Sequence, residues 1–473
     1  MSKEETGKKW ALIAIMLGAF LSLLDTTIVN VALPDIGRVL KTSSQTIEWV
    51  ISGYALAFGL VLITAGRLGD KFGRKPLYII GVALFLLMSI TAGFATSGTS
   101  LIISRVVQGL AAGLFFPQIN ATIMDLYQGP KLAKVFGILG AVIGVATAIG
   151  PLTGGLLINT FGADDGWRWV FFVNVPIVII TLILAFIYIP KDKKQPHQVK
   201  FDIPGVFGIT LALLLLLYPL VAHGANDFSW LDFIVMLLSL PVFLLLYWWS
   251  ARQEKLGNQP IISPKLLKNK KFLSGMIFSL VYFAAFTSIF FVLSLTWQTG
   301  FGKSAISSGL ALSPFAFGSM FAAANSNRFV QKLGRNLFFI GLIFIILGLA
   351  GTALVFYLHS DVFSAWWLTL PLLLGGIGSG LIIAPINSFT LSTVLPEQRG
   401  GASGLFNTAQ RVGTSFGIAI VGTVYFRTLS TIDGTSRSDV FSGSLQMSML
   451  VNIALLLICT ALVFALPKKI SER

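Results

Sequence analysis

The chain has 473 residues, 55% of them hydrophobic and only 11% charged, where a soluble domain carries roughly 25% charged. A soluble fold has no interior large enough for that excess, so a protein of many membrane-crossing segments is expected. The net charge of +15 would suit nucleic acid, but the basic residues fall in short loops between apolar runs, which makes membrane lipid headgroups the expected neighbour and no nucleic acid.

An apolar run of roughly 20 residues reads as a membrane-spanning helix. Fourteen such runs are expected, near 10–33, 47–66, 77–95, 100–122, 134–158, 169–189, 204–222, 231–250, 273–297, 304–325, 337–357, 365–386, 402–424 and 445–466. The first follows Lys8 and Lys9 but is too long for a signal peptide and lacks a small-residue cleavage site, so it is read as a retained span. Between the second and third lies a charged turn, Gly66-Arg67-Leu68-Gly69-Asp70-Lys71-Phe72-Gly73-Arg74-Lys75-Pro76. Its glycines allow a sharp reversal with positive φ. Asp70, a lone carboxylate in a basic turn, is expected to hold a partner, the alternative being a merely solvated hairpin.

The Arg-x-x-x-Lys-x-Gly-Arg skeleton of this turn returns 261 residues later as Arg328 to Arg335, with Gln331 in place of Asp70. The same shift carries the first run onto the ninth, which points to a duplication of the kind that builds many transporters. An all-α integral membrane fold of six, two and six spans follows: residues 1–190 and 272–473 as two six-helix bundles, with 191–271 as an inserted pair of helices and its linkers. Alternate loops hold 26 of the 34 Lys and Arg residues against 6 in the other set. That bias places both termini in the cytoplasm.

Ionisable residues inside a membrane are costly and usually functional. Asp25 is the only carboxylate deep inside an expected span, roughly 22 Å along the first helix at its usual rise. Arg105 enters the fourth span from the opposite face to a similar depth, so the two can pair if those helices touch. Burial favours the neutral acid and a neighbouring guanidinium favours the carboxylate, so a carboxylate between those pulls can load and release a proton. A static ion pair that only orders the bundle is the alternative. Asn30, Tyr54, Gln108, Gln118, Asn120, Asn387 and Arg411 are candidates to line a polar cavity, with hydrogen bonding between helices, and for Arg411 snorkelling, as the other uses.

The fifth run carries Gly140, Gly144, Gly150, Pro151, Gly154 and Gly155. Small residues four apart allow close helix contact, and Gly-Pro removes a backbone bond, so a bend at a sliding interface is expected, against simple tight packing. Gly375 to Gly380 imitates a phosphate loop but has no Lys-Ser/Thr after it, and helix packing is its reading. The single cysteine, Cys459, excludes an intrachain disulfide. No metal-spaced cluster or nucleophile–base set occurs, so no enzyme, no cofactor and no metal is expected.

The turn Gly66–Pro76 resembles the signature between spans two and three of the major facilitator superfamily. Arg105-Val106-Val107-Gln108-Gly109 resembles its span-four motif, and Gly140 to Gly155 the span-five motif of its antiporters. Leu24 to Pro34 and Trp167 to Pro176 resemble motifs of its 14-span drug:proton antiporter branch. The resemblance implies a cell-membrane protein, acting as a monomer, that exports lipophilic and often cationic small molecules in exchange for protons. It implies proton and substrate coupling at Asp25, modulated by Arg105. It also implies a cytoplasmic gate of Gly66, Arg67, Gly69, Asp70, Gly73 and Arg74, with Asp125 at the right face to pair with Arg74. Gln331 makes that gate one-sided. A transporter of the same fold dedicated to one lipid, peptide or metabolite is the other reading.

Overall fold

In the computed structural model the described residues are 3–42, 44–191, 202–222, 229–258, 260–303, 305–358, 364–395, 398–431 and 436–468. Most of the first charged linker, 192–201, lies outside them. Fifteen α-helices account for nearly all of the described chain: α1 Lys3–Val39, α2 Ser44–Phe72, α3 Arg74–Gly93, α4 Gly98–Leu126, α5 Pro130–Phe172, α6 Asn174–Tyr188, α7 Ile203–Ala222, α8 Trp230–Lys255, α9 Pro264–Lys268, α10 Lys270–Leu295, α11 Ala305–Leu333, α12 Asn336–Leu358, α13 Thr369–Leu391, α14 Arg399–Thr431 and α15 Arg437–Val463. In a bilayer only internally hydrogen-bonded backbone can cross, which is why long apolar runs give helices and nothing else here.

Sequence details fix where helices start and stop. Ser97, Ser229 and Ser436 accept the first amides of α4, α8 and α15 in capping boxes. Gly73, at φ 98°, turns the chain from α2 into α3, and Gly334, at φ 55°, does so between α11 and α12. The repeated turn therefore has the same glycine requirement in both halves.

Packing repeats the same way. In the first half α1 packs on α5, α2 and α3 on α4, and α1 and α3 on α6; in the second α10 packs on α14, α11 and α12 on α13, and α10 and α12 on α15. The halves meet along two seams, α2 with α14 and α5 with α11. Helix α7 packs on α8 and lies on the α2–α14 seam. There Ile209, Leu213 and Leu217 join Leu56 and Ile63 of α2 and Val412 of α14 in one buried apolar cluster.

Twelve segments among the described residues are long and apolar enough to cross a membrane, with a shorter apolar stretch at Lys134–Ala146. The two expected spans outside the twelve fall in α5 and α11. These helices pack on each other and on α1 and α13, so their small and polar faces meet protein rather than lipid. The break in α5 comes at Gly162, φ 81°, and not at Gly150-Pro151, where the backbone stays helical. A left-handed residue free of a Cβ interrupts the helix there.

Candidate functional site

Asp25 sits in the interior of the first bundle, fully buried on α1. Its Oδ2 accepts from Arg105 Nη1 of α4 at 2.6 Å, and its Oδ1 accepts from Gln108 Nε2 at 3.2 Å and Asn174 Nδ2 at 3.0 Å. Arg105 also donates to the Gln108 Oε1 at 2.6 Å and to the Val50 carbonyl at 3.1 Å, and its guanidinium lies 4.3 Å from the Tyr54 ring centre. Ser89 accepts a second hydrogen bond from Gln108, at 2.8 Å. A buried ion pair persists only when its remaining donors and acceptors are met, and five helices take part: α1, α2, α3, α4 and α6. The carboxylate is thus sealed by three donors, and a cargo cation has no open side of it to approach.

A third charge lies across the interface. Arg411 of α14 is half-buried with its guanidinium 4.1 Å from the ring centre of Phe58, a fully covered residue of α2.

At the face that carries the loop Gly66–Pro76, the two halves are joined. Asp70 lies 3.5 Å from Arg74 and accepts the amides of Gly400 and Gly401, the first turn of α14, at 3.1 and 3.0 Å. Free amides and the dipole make a helix N-terminus a good seat for a carboxylate. Asp125 at the end of α4 pairs with Arg74 of α3 and, at 3.1 Å, with Arg399 of α14. A Cβ at Gly66 would collide with the Gly400 carbonyl, so that glycine sets how closely α2 and α14 approach. Arg67 donates to the carbonyls of Pro260 and Ile261 at 2.7 and 2.9 Å, in the linker after α8. Above this level Asn120 donates to Asn407 at 3.3 Å, and Ser403 to the Pro117 carbonyl at 3.1 Å, again across the seam.

The other residues singled out in the sequence divide. Gln118 is buried, bonds the Ala65 carbonyl at 2.8 Å and fills the space beside Gly69. Gly140 faces Ala323 and Ala384 of the second half, while Gly150 and Gly154 face Thr27 and Ile28 of α1. Gly144 lies by Ser319, and Gly155 is buried. Pro151 is helical in backbone. Of the remaining polar candidates, Asn30 is exposed, and Asn387 bonds the Ile383 carbonyl of its own helix at 2.9 Å. A mid-helix amide can satisfy itself one turn back, which sequence position alone does not reveal.

Five participants were not singled out in the sequence: Asn174, Ser89, Asn407, Ser403 and Arg399. Asn174 carried a signal, being a polar residue within the apolar sixth run and inside Trp167 to Pro176. Arg399 looked like one more loop charge, and its meaning comes from the Gly400-Gly401 amides beside it. A further cavity, about 40 Å³, lies between α5, α10, α11 and α13 against Phe286, Phe290 and Phe315.

A duplicated helical bundle in the membrane, with buried charge inside and a polar latch across one end of its seam, defines a membrane transporter. The sequence matches the Major Facilitator Superfamily over residues 15–418, and the chain belongs to that family. Among its relatives, it is 30% identical to the probable actinorhodin transporter of Streptomyces coelicolor, across 91% of this chain and 76% of that one. It is 28% identical to multidrug resistance protein 3 of Bacillus subtilis (93% and 83%) and 31% identical to the puromycin resistance protein of Streptomyces alboniger (88% and 81%). In fold it is similar to a proton:xylose symporter of the superfamily, at TM-score 0.68 and 14% identity over 97% of this chain and 96% of that one. A transporter of this family carries small molecules and is not an enzyme.

Proposed function

We propose that the protein exports lipophilic small molecules from the cell in exchange for protons, alternating access between two bundles of a 14-span fold whose termini are cytoplasmic. In this reading α5 and α11 are the remaining two spans, residues 1–190 and 272–473 are the rocking bodies, and the Asp70–Arg74–Asp125 latch closes the cytoplasmic side. The observation that carries it is the sealed Asp25–Arg105 pair with Gln108 and Asn174. It is the one carboxylate with no exposed surface among the described residues, held by donors that must rearrange when it takes up a proton. The relatives named for drug resistance support the export direction. The resemblance to drug:proton antiporters points to cations as cargo, but Asp25 in its sealed form offers them no free carboxylate oxygen.

The test is flux in liposomes containing the purified protein, under an imposed pH gradient, with a panel of lipophilic compounds. Drug-dependent proton movement is expected. A folded protein that moves no proton with any of them would overturn the proposal. Export of a single dedicated compound is the second reading, favoured by relatives named for one antibiotic each. It would show as movement of one cargo and silence across the rest.

A further inference from the structure

Among the described residues, three charged side chains lie in the interior of the two bundles away from the loops: Asp25, Arg105 and Arg411. The first two cancel, joined at 2.6 Å and both almost wholly covered. Arg411 has no ion-pair partner among the described residues, and its position is not that of a snorkelling side chain. Its guanidinium rests on Phe58, 1% exposed, and the Tyr54 ring beyond, 2% exposed, has its centre 6.0 Å from that of Phe58. Both rings are deep in the protein, so Arg411, with part of its side chain uncovered, sits where α14 meets α2 at the contact between the bundles. Phe116 stands edge-on to Phe58 at 5.6 Å, which sets a third ring beside the guanidinium's aromatic platform.

We propose that Arg411 sets the charge of the cargo: it holds an electron-rich oxygen, carboxylate or phenolate, on an aromatic lipophile and turns away permanent cations. A guanidinium offers five N–H donors and no acceptor, and discrimination by repulsion needs only a like charge at the site. With Asp25 ionised the three groups sum to +1, and a proton on Asp25 raises that to +2. At neither stage of the cycle does a cation find a net negative interior. The same arithmetic means that the proton does not expel an anionic cargo by charge, so release has to come from the change of shape between the bundles. The inference rests on the exporter reading for its cargo but not for its measurement.

Three fluorescent lipophiles of one aromatic frame, bearing a carboxylate, a neutral ester or a quaternary ammonium, serve as probes of the full-length protein. Equilibrium binding in detergent is expected to rank carboxylate first and ammonium last. Arg411→Gln should weaken the carboxylate roughly tenfold or more, the range of a charge-assisted hydrogen bond, and improve the ammonium probe. Arg411→Lys, which keeps the charge, should retain the order. Tighter binding of the ammonium probe by the unaltered protein, or an equal loss of all three in Arg411→Gln, would overturn the inference. Flux of the same probes in liposomes separates the two claims: binding in the expected order without any transport would sink the exporter reading and leave the charge assignment standing.

Discussion

Asp70 of α2 accepts the backbone amide of Gly400 at the start of α14, at 3.1 Å, so a side chain of one half closes on the main chain of the other. The Gly401 amide adds a second bond to the same carboxylate. In the repeated turn the matching residue, Gln331, is exposed, and Arg335 turns instead to the Phe464 carbonyl at the end of α15. Among the described residues, only the first of the two turns reaches the other half in this way.

Asp70→Asn keeps the size but loses the charge that the amides and Arg74 hold. A charge-assisted hydrogen bond contributes roughly 1.5–3 kcal/mol, enough to shift a two-state equilibrium tenfold or more. The variant should open this face, seen as faster modification of a cysteine placed along the seam, and slow cycling more than binding. Gln331→Ala should do far less, and equal losses from the two would mean that the asymmetry has no functional weight.

At the proposed proton site, Asp25→Asn retains an acceptor for Arg105 and should fold, yet lose pH-driven uphill export and proton movement on cargo addition. Asp25→Ala strands a buried guanidinium, at a cost of about 3–5 kcal/mol, and should melt at lower temperature as well. Normal uphill export by Asp25→Asn would place the proton elsewhere.

Orientation has its own check. In a Cys459→Ser background, cysteines at 192–201 and 255–270 should resist an impermeant thiol reagent applied to intact cells. Lys265, exposed on α9 with its side chain 77% accessible, is the best site in the second loop. A cysteine replacing Lys303 on the other face should react. The opposite pattern would invert the topology.

The glycines of α5 should differ by neighbour. At Gly144 a Cβ would have its nearest neighbour at 3.6 Å, an ordinary contact, whereas at Gly150 it would overlap Thr27 and crowd the Ile28 amide at 3.2 Å. Gly144→Ala should behave like the parent, and Gly150→Ala should lose about 1–3 kcal/mol of stability, the usual cost of overpacking. Thermal melts in detergent would expose the reverse order if α1 and α5 are less tightly joined.

The duplication was legible because the Arg-x-x-x-Lys-x-Gly-Arg turn depends on local chemistry: a left-handed glycine and charges that must leave the membrane. The approach of Asp25 to Arg105 could be read from depth along two helices. Asn174 joining them could not, since its contact depends on how α6 rotates against α1. Likewise, the partner of Asp70 is main chain, and an amide has no letter in a sequence. The two expected spans outside the twelve segments fall in α5 and α11, where burial against other helices relaxes the demand for apolar side chains.

Helix α7 bears on the α2–α14 seam, and the linker beyond α8 continues that cover beneath it. Besides the two carbonyls given to Arg67, the linker offers Ser263 Oγ to Gln398, at 3.4 Å beside α14, and the Ile261 amide to Asp202, at 3.0 Å at the foot of α7. The α7–α8 hairpin is therefore tied by side-chain and main-chain bonds to both halves at this end, not merely laid against them. Excision would leave the apolar flanks of α2 and α14 to lipid, which accepts them, but would take away the carbonyl acceptors of the half-buried Arg67. A shortened gene would have to supply new acceptors for Arg67 at the foot of that seam.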